Sequence, residues 1–252
     1  MRLHHRLDGP DAAPPLMLCN SLGTTLELWE PQLPALAAQF RVLRYDGRGH
    51  GRSPVPPGPY AIDELGRDAL ALLDELDIES VSFCGLSLGG MVGMWLASEA
   101  PDRVDRLVLG CTAPNLPPRE QWLERAATVR AEGVSALADA VLGRWFTPSA
   151  PESLRVRFRA MLVGTPAEGY AACCEALAGL DLSERLGAIE APTLVLTGAQ
   201  DPVVPSEAGE RLAASIAGAR HETVPGAAHI ASAEQPATFT QHVLAHLTKE
   251  NR

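Results

Sequence analysis

Ser80-Val-Ser-Phe-Cys-Gly85-Leu-Ser87-Leu-Gly89-Gly90-Met91 is the stretch whose reading decides the fold. Residues 80–84 form an apolar-rich run too short for a typical helix, whereas 87–100 is apolar on nearly all sides, the pattern of a helix buried against a sheet. Between them the chain has to turn from strand to helix within a few residues. The G-x-S-x-G spacing suits such a turn. Side chains two residues either side of the serine would have no room, so Gly85 and Gly89 allow close packing while the Ser87 hydroxyl projects above the sheet.

Outward from this stretch, short strand-like runs, most of them apolar-rich, recur at 16–19, 41–45, 106–111, 193–197 and 221–224. Longer amphipathic segments separate them. Segment 62–76 places Leu65, Ala69, Leu72, Leu73 and Leu76 on one helical face at spacings of three and four. Alternating strands and helices predict an α/β domain with a mostly parallel sheet flanked by helices. From 114 to 186 more than 70 residues pass without a convincing strand, while helix-like segments are punctuated by Pro and Gly. The expected organisation is a core domain of 1–113 and 187–252 with a helical cap, 114–186, inserted over the carboxyl edge of the sheet.

Composition narrows the function classes. The chain has 252 residues, 46% hydrophobic and 21% charged, and 31 acidic against 21 basic side chains leave a formal charge of −10. An acidic chain offers no global field for a phosphate backbone, so nucleic acid is not an expected partner. No apolar run approaches the roughly 18–20 residues of a membrane span, and the start mixes Arg, His and Asp, so a cytoplasmic protein with no membrane partner is expected. Five cysteines without regular spacing read as core thiols, since no C-x-x-C zinc spacing occurs.

A serine is a poor nucleophile unless a base takes its proton and a buried acid holds that base in the correct tautomer. Candidates for both lie beyond later strands. Asp201 follows the run starting at Thr193, and His229 lies in a loop after the run ending at Val224. Taken singly, a loop cap and a surface histidine are the ordinary readings. Together with Ser87 they give the chain order Ser, Asp, His, which is that of α/β-hydrolases. His4 and His5 lie near the terminus, His221 begins a strand, and His242 and His246 sit on the last helix. His50 is the nearest rival, in Asp46-Gly-Arg-Gly-His-Gly-Arg-Ser53. That glycine-rich loop lacks nucleotide-site spacing and reads as support beside the site, with contact of Arg48 or His50 to substrate left open. Two backbone N–H groups should stabilise an oxyanion: Leu88, at the start of the helix after the nucleophile, and Ser21, in the loop after the strand at 16–19. Cys19-Asn20 stands where a His-Gly pair is familiar.

These residues resemble the 3-oxoadipate enol-lactonases of the α/β-hydrolase superfamily over nearly the whole chain. The resemblance rests on Cys19-Asn-Ser-Leu-Gly-Thr with Trp29, on 46–53, on Phe83-Cys-Gly-Leu-Ser-Leu-Gly-Gly-Met91, and on Arg144-Trp-Phe-Thr-Pro148 in the cap. The 46–53 loop and the G-x-S-x-G core are superfamily features; the Asn-Ser-Leu-Gly and Trp-Phe-Thr-Pro stretches are more selective. It implies hydrolysis of 3-oxoadipate enol-lactone to 3-oxoadipate, a late step of the β-ketoadipate pathway of aromatic catabolism, with no metal and no organic cofactor. The implied partner is a small anionic lactone. Arginine suits a fork-shaped contact to its carboxylate, which makes Arg144 the first candidate, with Trp122 and Trp145 as pocket walls. Cap packing for the tryptophans and a solvated charge for the arginine are the alternatives. Another esterase or C–C bond hydrolase, a cofactor-free perhydrolase or haloperoxidase, and a non-catalytic ligand-binding module are the rival readings of the whole.

Overall fold

A computed structural model describes residues 1–116 and 118–248 of the protein. Seven strands form one sheet: β1 (His5–Asp8), β2 (Pro15–Cys19), β3 (Arg41–Tyr45), β4 (Val81–Leu86), β5 (Val104–Gly110), β6 (Thr193–Gly198) and β7 (Arg220–Val224). Their order is β1-β3-β2-β4-β5-β6-β7, with β1 antiparallel to β3 and every other pair parallel. The sequence reading marks six of these strands and misses β1. His-Arg-Leu-Asp carries no apolar run, because an edge strand leaves much of its surface in solvent and no residue of β1 is fully buried.

The helices are α1 (Leu33–Leu36), α2 (Ile62–Glu75), α3 (Leu88–Glu99), α4 (Arg119–Glu132), α5 (Ala138–Trp145), α6 (Glu152–Val163), α7 (Ala167–Ala178), α8 (Ser206–Ala214), α9 (Ala231–Glu234) and α10 (Pro236–Leu247). Residues Leu88 to Ala97 of α3 are all buried, which explains its lack of a polar face. Each large side chain removed from water there contributes about 1.5–3 kcal/mol. Trp95 of α3 donates its indole N–H to Asp63 of α2 at 2.8 Å, so the two helices are joined by a polar contact as well as by packing.

Helices α4 to α7 lie between β5 and β6, in the stretch expected to be helical. Arg130 of α4 bridges Glu168 and Glu175 of α7, and Glu168 also accepts the Gly58 N–H at 2.9 Å, tying α7 to the segment before α2. The guanidinium and this N–H lower the Glu168 carboxyl to about 2. The group is exposed, so this network fixes orientation more than it adds stability.

The sheet order positions the site. From β2 the chain moves outward to β3 and returns to β4 on the other side of β2, so the loops after β2 and β4 diverge across a crevice at the carboxyl ends of the strands. Cys19 is in register with Gly85, which sets residues 20–24 beside Ser87. Gly110 pairs with Leu196 and Gly198 with Val224, so the loops bearing Asp201 and His229 leave the same edge.

Candidate active site

Ser87 sits between β4 and α3 with φ 54° and ψ −114°, a conformation L-residues rarely adopt and one that is held only when the surroundings enforce it. The enforcement comes from contact. A Cβ on Gly85 would lie 2.1 Å from the Gly89 carbonyl oxygen, and one on Gly89 would lie 2.2 Å from the Cys19 carbonyl oxygen, both rigid backbone atoms. Gly89→Ala is therefore expected to cost about 3 kcal/mol or more and to lower Tm by about 6–12 °C, read by thermal denaturation.

The structure brings Ser87, His229 and Asp201 into one hydrogen-bonded chain, although they are far apart in sequence. His229 Nε2 lies 2.9 Å from Ser87 Oγ, and His229 Nδ1 lies 2.8 Å from Asp201 Oδ2. The other carboxylate oxygen of Asp201 accepts the N–H groups of Val203 at 2.7 Å and Val204 at 3.1 Å. All three side chains are buried. A carboxylate can only accept, so Nδ1 carries the imidazole proton and Nε2 presents its lone pair to the serine hydroxyl.

The Leu88 N–H opens a 12-residue helix and therefore has no acceptor within it. The Ser21 N–H, across from it, makes no backbone hydrogen bond to the described residues. The loop carrying Ser21 is held from several sides. Asn20 Nδ2 donates to the Tyr45 carbonyl at 2.6 Å, Asn20 Oδ1 accepts the Trp29 indole N–H at 2.9 Å, and Gly23 N–H donates to His50 Nε2 at 2.9 Å. Because Nε2 of His50 accepts, Nδ1 carries its proton and faces the Arg48 carbonyl. Burial pushes the His50 imidazole below its ordinary 6.5, which favours this neutral acceptor. Arg48 is engaged by Asp68 at 2.6 Å and Glu64 at 2.7 Å. The 46–53 loop thus spends its polar groups on neighbouring protein.

Above the serine lies a small cavity with Ser21, Ser87 and His229 at its floor. Trp122, Trp145 and Tyr170 form walls, and Arg125 and Arg144 supply the charge. Both arginines also line a wider vestibule that opens outward. Trp145 is buried and packs edge-on against Phe146 and Phe158, whereas Arg144 is exposed.

Arg125 is a residue that reading by sequence proximity does not find. Its guanidinium carbon lies 5.2 Å from the Trp122 ring centroid and 5.3 Å from that of Tyr170, between two aromatic faces. Its Nε is buried without a hydrogen-bond partner among the described residues. The Trp122/Arg125 spacing of three on one helix is the local signal that points to it. All five cysteines are buried and free, and burial raises their thiols, Cys19 to about 12. Among the described residues no group of three or more His, Cys, Asp or Glu is placed to hold a metal ion, and no helix is long and apolar enough to cross a membrane.

Comparison with known proteins agrees with this architecture. Residues 14–139 and 154–236 match the family model described as alpha/beta hydrolase fold. The chain is 40% identical to 3-oxoadipate enol-lactonase 2 of Acinetobacter baylyi, over 99% of this chain and 94% of the relative. It is 37% identical to 3-oxoadipate enol-lactonase 1 of the same organism, over 94% and 89%. The crystal structure of the enol-lactonase from Burkholderia xenovorans LB400 superposes with a TM-score of 0.96 at 45% identity, covering 98% of this chain and 96% of that one. The chain belongs to the α/β-hydrolase family, is similar from end to end to 3-oxoadipate enol-lactonases within it, and is a hydrolase.

Proposed function

We propose that this hydrolase opens 3-oxoadipate enol-lactone to 3-oxoadipate by way of an acyl-enzyme on Ser87. One observation carries the reading: a serine–imidazole–carboxylate chain lies at the floor of a small cavity whose walls hold Arg125 and Arg144, with no acidic partner for either among the described residues. The relatives named above supply the choice of lactone.

His229 Nε2 takes the proton of Ser87 as Oγ attacks the lactone carbonyl, and the Leu88 and Ser21 N–H groups hold the oxyanion. Collapse breaks the ring C–O bond. The expelled enolate oxygen takes the proton from His229, stays tethered through the acyl chain, and tautomerises to the ketone. His229 then deprotonates a water that attacks the acyl carbon, and the returning proton restores Ser87 while the carboxylic acid departs. Asp201 stays ionised, holding the imidazole tautomer and balancing the imidazolium.

The helices between β5 and β6 act as the cap of this reading and select the substrate. A chain of charge −10 repels an anionic lactone at long range, so recognition falls to local cations. Arg125, fixed between Trp122 and Tyr170, is the inner of two candidates for the carboxylate, and Arg144 is the rim candidate. Arg125→Ala is expected to raise KM for the enol-lactone by about 10- to 100-fold, the loss of a charge-assisted hydrogen bond worth about 1.5–3 kcal/mol. KM for the uncharged lactone dihydrocoumarin should stay within about threefold. Steady-state kinetics of Arg125→Ala beside Arg144→Ala assign the role: the variant with unchanged KM for the anionic substrate does not carry it.

A further inference from the structure

The Trp145-Phe-Thr147-Pro148 turn does more than wall the cavity, because its backbone is bonded to both flanks of His229. Ile230, after the histidine, donates its N–H to the Trp145 carbonyl at 3.0 Å. Ala228, before it, donates its N–H to Glu234 Oε2 at 2.8 Å, and Glu234 Oε1 accepts the Thr147 N–H at 2.8 Å as well as the Thr147 hydroxyl. One carboxylate from α9 therefore bridges the turn after α5 to the loop that carries the imidazole. Arg155 of α6 donates to the Thr147 carbonyl, fixing the turn from its other side. The Asp201 contact orients the His229 ring. It leaves the loop backbone at 225–230 to be held by other bonds.

We propose that Glu234 is a positioning residue: its carboxylate joins Thr147 to Ala228, so that the Trp145 wall and the backbone of His229 move as one unit. The proposal rests on the reading of His229 as the base for Ser87. It gives the Trp-Phe-Thr-Pro turn a physical task, that of locating the base relative to the cavity wall. Without the carboxylate, the Ala228 and Thr147 N–H groups both lose their acceptor, and the imidazole is free to shift from the serine hydroxyl. A misplacement near 1 Å is enough to slow a reaction by about 100-fold. Glutamine at this position keeps a single acceptor oxygen and satisfies only one side of the bridge.

The test uses the whole enzyme, with 3-oxoadipate enol-lactone and with 4-nitrophenyl acetate, a small neutral ester that has no carboxylate to be recognised. Glu234→Ala should lower kcat by about 10- to 100-fold on both, with KM within about threefold and circular dichroism unchanged. Phosphonylation of Ser87 by an organophosphonate should slow by the same factor, and Glu234→Gln should fall between wild type and Glu234→Ala. A folded Glu234→Ala enzyme with kcat within about twofold of wild type, or with its whole loss in KM, overturns the proposal. Should Glu234→Ala not fold, Glu234→Gln carries the test, since it breaks one side of the bridge: a fall in kcat of about threefold or more supports the bridge, and unchanged kcat rejects it. Ser87→Ala and His229→Ala run beside these variants separate the two failures. If they keep full turnover, the reading of the site is wrong; if they are inactive while the Glu234 variants match wild type, only the bridge is wrong.

Discussion

Ser87→Ala is expected to lower kcat on the enol-lactone by about 10⁶-fold while leaving the fold intact. The substitution removes one oxygen whose side-chain partner is His229, so no other contact in the core depends on it. The strained turn is shaped by Gly85, Gly89 and the Cys19 backbone, and alanine meets the same φ of 54° that serine already tolerates. The cavity, the arginines and the Leu88 N–H remain, so substrate should still bind, and a residual acceleration of about 10³–10⁴ over water should survive from binding and oxyanion contacts. Single-turnover kinetics with equilibrium binding of the product measure both parts.

Asp201→Asn is expected to lower kcat by about 10⁴-fold, and the hydrogen bonds say why. Oδ1 of Asp201 accepts two N–H groups, from Val203 and Val204, and an asparagine would keep its carbonyl oxygen there. Its NH₂ would then face His229 Nδ1, which must become the acceptor. The imidazole proton moves to Nε2, pointing at Ser87 Oγ, and the base can no longer take the serine proton. Geometry is preserved and the tautomer is wrong. A crystal structure of the variant showing the ring in place, beside collapsed turnover, distinguishes this cause from simple disorder.

Strands β4 and β6 were legible because buried parallel strands are near-continuous apolar runs, and α3 because it lacks any polar face. β1 was not, since a polar antiparallel edge carries no such pattern. Ser87, Asp201 and His229 stand out in sequence as a set because each follows a strand that ends on one edge of the sheet, and the structure brings them within hydrogen-bond distance. Arg144 and Trp145 are neighbours in sequence, yet successive residues of a helix point about 100° apart, so the buried face of α5 at Trp145 is not the face of Arg144. Arg125 depends on Tyr170 from another helix, and Glu234 on a turn 87 residues away. Contacts of that range leave no periodicity to read. The acidic balance of the chain likewise conceals two arginines that line one cavity and have no acidic partner among the described residues.

The most direct measurement follows the loss of the enol-lactone's ultraviolet absorbance in the presence of wild-type enzyme, with 4-nitrophenyl acetate and a halide-dependent oxidation assay run in parallel. The account predicts a kcat/KM for the lactone of at least about 10⁴ M⁻¹s⁻¹, well above that for the neutral ester. A lactone that disappears no faster than in buffer, or ester hydrolysis or halide oxidation that outpaces it, would contradict the account.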